Sequence, residues 1–232
     1  MSDDDKKPFD PFELSAAILL GLGAIGASVA GYQEGLWGGQ SVEAYGAASA
    51  MTTKASTTYN DELSTFTSDT QIDIRTKELI WEGDESEDET QSQRVLGMAS
   101  WMLLSQISDV AYKHLGLPED KRKAYMDGNG EIVLTHEELM KALETDLSDE
   151  YVDEVFGDSD GEFEAADKRF AEGSTANNNG DQFSLATVIL TVSLFFAGVS
   201  LVFKTKARWG FLSAGAVILV AGLGYMSTLT WA

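Results

Sequence analysis

Three stretches of this chain carry no charged side chain over the length of a membrane-crossing helix. They are Leu14–Gln33 (20 residues), Phe183–Phe203 (21 residues) and Trp209–Leu229 (21 residues). A bilayer core takes about 20 apolar residues as helix, and an unpaired backbone cannot be left in it. The reading is an all-α membrane protein with three transmembrane helices, 14–33, 183–203 and 209–229. Around them lie a tail, 1–13, a long region, 34–182, a short loop, 204–208, and an end, 230–232. The mean hydropathy of −0.12 hides this, because the residues outside the runs are strongly polar.

Lysine and arginine set the expected orientation. The loop Lys204-Thr-Lys-Ala-Arg208 has three basic residues in five and no acid, which marks a cytoplasmic loop. The first span then leaves the cytoplasm, placing Lys6 and Lys7 inside, and the long middle region is extracytoplasmic. Phe9, Phe12, Tyr32, Trp37, Phe183, Phe203, Trp209, Tyr225 and Trp231 fall where headgroup interfaces are expected. The expected location is a cell's inner (cytoplasmic) membrane. Ser28-Val-Ala30 has the form of a signal cleavage site. However, the preceding segment is mostly acidic, and the uncharged run exceeds the roughly 7–15 residues of a signal core.

The middle region is acidic. Between Gly38 and Gln182 there are 32 Asp and Glu against 11 Lys and Arg, so −21 of the chain's −22 lies there. That field repels nucleic acid and anionic lipid and favours cations. There is no cysteine, hence no disulfide framework or thiolate chemistry, and two histidines are too few for a Cys/His zinc cluster. Gly21-Leu-Gly-Ala-Ile-Gly26 spells a dinucleotide-binding fingerprint. Inside an uncharged helix-length run, without a strand before it, it reads instead as small residues for close helix packing. No span contains a Lys, Arg, Asp, Glu or His, which argues against a proton-coupled transporter.

Tyr45, Ala48, Ala55, Tyr59, Leu63 and Phe66 recur at helical spacing, so the first span is expected to continue as helix. Asp84–Glu89 reads as an acidic loop. Arg94–Leu117 is expected to be one helix with a broad apolar face, ended by Gly116-Leu-Pro118. Ser174–Asp181 reads as a polar hinge into the second span.

Two segments, 125–136 and 156–167, look like degenerate calcium loops. In an EF-hand, oxygen ligands occupy positions 1, 3, 5 and 12, with glycine at 6. With Gly130 at position 6, Asp127 and Asn129 take positions 3 and 5. With Gly161 there, Asp158 and Asp160 do, and Asp167 takes position 12. Position 1 is Tyr125 in one and Phe156 in the other. The first also has His136 at position 12, unless Glu137 or Glu138 substitutes. Two readings stand: plain Asp/Gly turns, or weak calcium binding by Asp127, Asn129, Asp158, Asp160 and Asp167. No other cofactor is expected.

Gly31-Tyr-Gln33, Trp37-Gly-Gly-Gln40, Tyr45 and Ala55-Ser-Thr57 resemble the segment after the first span of a widespread, uncharacterised bacterial family of three-span membrane proteins. Phe170, Asn177, Asp181, Thr187-Val188 and Leu194-Phe-Phe-Ala-Gly-Val-Ser200 resemble its second span. The resemblance covers about 14–82 and 170–229. It implies the three-span topology and brings no activity with it. The middle departs from the family, whose members usually have a proline-rich connection there.

No nucleophile elbow, zinc-protease motif or phosphate loop is present, so an enzyme is not expected. The expected function is that of a non-enzymatic, oligomeric structural or accessory subunit. Its partners would be the bilayer and either further copies or a larger membrane complex, with no nucleic acid. A channel or transporter with a cation-concentrating acidic vestibule is the alternative. A weak calcium-responsive module is the third reading.

Overall fold

The computed structural model describes residues 10–128 and 133–232. Among these the only regular secondary structure is α-helix. The helices are α1 (Pro11–Asp84), α2 (Glu89–Ser105), α3 (Asp109–His114), α4 (Glu119–Met126), α5 (His136–Glu144), α6 (Asp149–Val202) and α7 (Ala207–Ser227). Three of them, α1, α6 and α7, are long and apolar enough to cross a membrane. The chain divides into two compact units, one from Met1–Ser49 with Asp167–Ala232, the other from Ala50–Ala166.

The first unit bundles the start of α1, the end of α6 and the whole of α7. Its interior is filled by Phe12, Ala16 and Leu19 of α1, Phe183, Ala186 and Leu190 of α6, and Leu212 and Leu219 of α7. Glycine permits the closest approaches. A Cβ on Gly215 would lie 3.1 Å from the Ser193 carbonyl oxygen and 3.3 Å from the Ala197 nitrogen, both backbone atoms of α6. The Ser193 hydroxyl donates to the Gly215 carbonyl across the same contact at 2.8 Å. In lipid, where apolar burial drives little, such packing and hydrogen bonding hold helices together. Ile18, Leu22 and Ile25 of α1, with Val217 and Val220 of α7, face outward and give the bundle an apolar exterior.

The second unit wraps α2–α5 around the remaining parts of α1 and α6. Leu79, Ile80, Leu103, Leu104, Tyr112, Leu115, Leu139 and Tyr151 form its core. Helix ends are satisfied locally. Asp88 caps α2, and the Thr135–Glu138 capping box starts α5. Gly116, at φ +66°, closes α3 in the left-handed conformation that a side chain would strain.

Three expectations are corrected. The helix expected over 94–117 breaks between Ser105 and Asp109. Ser108 caps α3 there, and its backbone N–H and hydroxyl both donate to Asp69. The loop expected over 156–167 is helical, inside α6. The hinge expected over Ser174–Asp181 is helical as well. Glycines in and next to it are contact points: a Cβ on Gly173, just before it, would lie 2.9 Å from the Tyr45 ring, and one on Gly180 would lie 3.5 Å from Trp37.

Candidate functional site

The candidate calcium ligands are dispersed. Asp127 is the exposed C-cap of α4, whereas Asn129 lies outside the described residues. Asp158, Asp160 and Asp167 are exposed on α6. Helical residues two apart do not share a face, so Asp158 and Asp160 diverge. Asp167 is seven residues further on, about 10 Å along the axis. Glu138 is not a reserve ligand, because its carboxylate accepts from the Thr135 backbone N–H and from Lys121 Nζ, each at 2.6 Å. Among the described residues no three potential metal-binding side chains converge.

Sequence reasoning missed a polar node in the second unit. Asp69 is 1% exposed. Its carboxylate accepts from the Ser108 N–H at 2.7 Å, from the Ser108 hydroxyl, and from the Tyr151 hydroxyl at 2.8 Å. Burial, reinforced by the Asp69 carboxylate, holds the Tyr151 phenol protonated far above the usual tyrosine range. The node ties α1, the α2–α3 break and α6 to one carboxylate. Each atom of it is committed to a partner, which makes it a structural pin rather than reactive chemistry. Beside it, the His114 ring meets the Tyr151 ring edge-on, and its Nε2 is 2.9 Å from Glu154.

A half-open cavity of about 440 Å³ lies on the same unit, bordered by Asp109, Tyr112, Lys113, Arg122 and Glu154. Its central cation is already employed. Arg122 donates to the Leu103 and Ile107 carbonyls at 3.2 and 2.5 Å, capping the end of α2. Its Nε is 2.8 Å from Asp109, and its guanidinium lies 4.8 Å from the centre of the Tyr112 ring. Burial raises the Tyr112 phenol to about 12, against the opposing pull of Arg122.

The first unit presents the more distinctive surface. One end is closed by Arg208, which pairs with Asp10 at 3.3 Å and lies over the Phe12 ring at 4.3 Å. The other end is closed by two bonds to α1. Trp37 donates from Nε1 to the Thr230 carbonyl at 3.0 Å, and the Ala232 N–H donates to Gln33 at 2.9 Å. Between these ends α1 turns a face of small residues outward. Ala17, Gly21, Ala24, Ser28 and Gly35 are exposed, at spacings of three, four and seven. Nothing lies within 4 Å of a Cβ placed on Gly21, Gly31 or Gly35. That the first span holds small residues for close helix packing was legible in the sequence. Which glycines pack inside the bundle and which face outward was not.

Compared with known protein families, curated proteins and solved structures, the chain matches none.

Proposed function

We propose that this chain is an oligomeric structural or accessory subunit of a membrane, without catalytic activity of its own. One observation carries the reading. The bundle's interior is filled, while α1 keeps an open, small-residue face directed away from it. In lipid such a face lets a second helix backbone approach closely. The same face covered by large apolar residues would serve a solitary bundle equally well. The three uncharged stretches and the basic Lys204–Arg208 loop support an inner-membrane location, with the N-terminal tail inside and the acidic region outside. The resemblance to the bacterial three-span family supports the same topology.

The absence of cysteine makes the test direct. Single cysteines at Ala17, Gly21 and Ala24 are expected to form disulfide-linked dimers in native membranes. Cysteines at Leu22, Val217 and Val220 are expected not to. Equal crosslinking at all six, or none at any, overturns the proposal.

The acidity of the middle region favours a second reading, a cation channel. The filled bundle requires any such pore to form between copies. Liposomes carrying the purified chain decide this: absence of cation flux removes the channel.

A further inference from the structure

We propose that Lys204 and Lys206 hold the phosphate of an anionic phospholipid where α6 passes into α7. The proposal rests on the membrane reading of the three long helices and does not depend on oligomerisation. α6 ends at Val202 and α7 begins at Ala207, so the residues between them emerge where two apolar helices end. In a bilayer that is headgroup depth. Of the three cations in this loop, Arg208 is occupied by Asp10 and by the Phe12 ring, whose edge meets Trp209 at 5.1 Å. Lys204 and Lys206 are exposed, and no acidic side chain pairs with either among the described residues. Two lysines in one short loop leave it a positive charge that an anionic phosphate would neutralise.

The surroundings favour a lipid over a free phosphate. Phe203 and Trp209 flank the lysines and are 42% and 48% exposed. Phe203 is braced by Phe211, with ring centres 5.0 Å apart. Leu201 and Val202, just inside the loop, are exposed as well. A phospholipid satisfies both parts at once, with its phosphate on the ammonium groups and its acyl chains along the apolar residues. Inorganic phosphate satisfies only the first. The long, acidic stretch of the chain would repel an anionic surface, which leaves this loop as the place where the chain concentrates positive charge.

The test uses the full chain, stripped of lipid in mild detergent and titrated with phosphatidylglycerol or phosphatidylcholine. Bound lipid is counted by native mass spectrometry on the monomer. The wild type is expected to prefer phosphatidylglycerol. Lys204→Gln with Lys206→Gln is expected to reduce that preference by about thirty-fold at low ionic strength, and by less in salt. The pair Lys204→Arg with Lys206→Arg is expected to keep it, as is Lys123→Gln in the second unit. Equal retention of the two lipids by the wild type overturns the proposal. So does an unchanged preference in the glutamine variant, or displacement of the lipid by an equal concentration of inorganic phosphate. An unchanged melting temperature in the glutamine variant is the expected control, since both lysines are exposed. Because the count is made on the monomer, failure of the dimer proposal does not affect the result.

Discussion

Replacing Asp69 with alanine should cost the second unit about 3–5 kcal/mol. The carboxylate accepts three hydrogen bonds in a position that water does not reach. Its removal strands the Ser108 N–H and the Tyr151 hydroxyl, and each buried donor left without an acceptor costs about 1–3 kcal/mol. The Ser108 hydroxyl is less affected, because it still accepts from the Ala111 N–H at 3.1 Å and can turn its proton elsewhere. Tyr151→Phe removes one donor and leaves the carboxylate two others, so its cost should be about 1 kcal/mol. Combined with Asp69→Ala it should cost almost nothing more, because the stranded hydroxyl is then gone. The two changes therefore fall short of additivity by about 1 kcal/mol or more. Urea denaturation of the full chain in detergent, followed by limited proteolysis of the second unit, measures all three variants. A loss below about 0.5 kcal/mol for Asp69→Ala, or strict additivity in the double variant, refutes the reasoning.

Gly215→Val should destabilise the first unit by about 1–3 kcal/mol, since its new atoms meet backbone of α6 that cannot turn aside. Gly21→Val, facing open space, should leave the melting temperature unchanged and weaken only association between copies. In Glu138, burial pushes the carboxyl upward, but Lys121 and Thr135 outweigh it and hold the group below its ordinary value of 4.5. Its contribution is present above that value and is lost as pH falls through the lower folded one. Glu138→Gln should therefore flatten the acid limb of a stability–pH curve measured below about pH 5. With Asp158 and Asp160 on diverging faces of a helix, calcium and sodium at matched ionic strength should give the same melting curve. A calcium-specific rise that Asp158→Ala with Asp160→Ala abolishes would mean that this part of α6 opens into a loop.

The apolar helices were legible because charge is costly in a span and its absence over about 20 residues is hard to arrange otherwise. Continuity beyond the first span was legible too. The periodic Ala48 and Ala55 are buried, while Tyr45 and Tyr59 pack on Phe170 and Phe156. The stretch around Gly161 misled for a physical reason. Asp-Ser-Asp-Gly favours turns when only local preferences act, but here α1 supplies partners from about a hundred residues away. Glu62 accepts from the Ser159 N–H at 3.1 Å, and Glu162 binds Lys54 at 2.5 Å and Thr58 at 2.9 Å. The break at Ser108 was invisible for the converse reason. The apolar face of 94–107 runs into it unchanged, and the acceptor that stabilises it, Asp69, lies on another helix. On α2, Met98 and Trp101 belong to the same broad apolar face as the buried Leu103 and Leu104, yet both are about half exposed. A face broader than its partner helices can cover does not announce which of its edges is left out.

The division of the chain also bears on the order in which it folds. The second unit is a single uninterrupted stretch, Ala50–Ala166, whereas the first is assembled from the segments on either side of it. The core of the second unit is drawn from that stretch alone, so its formation needs no residue of the first. While the second unit remains unfolded, the start of α1 must find α6 and α7 across a loop of well over a hundred residues. Once it has folded, the Lys54–Glu162 pair holds its entrance and exit side by side. Shrinking the effective loop about tenfold saves roughly 2 kcal/mol of closure entropy, a speeding of bundle assembly by about thirty-fold if the saving falls on the rate-limiting encounter. Variants that weaken only the second unit should then slow refolding of the first without touching any residue in it.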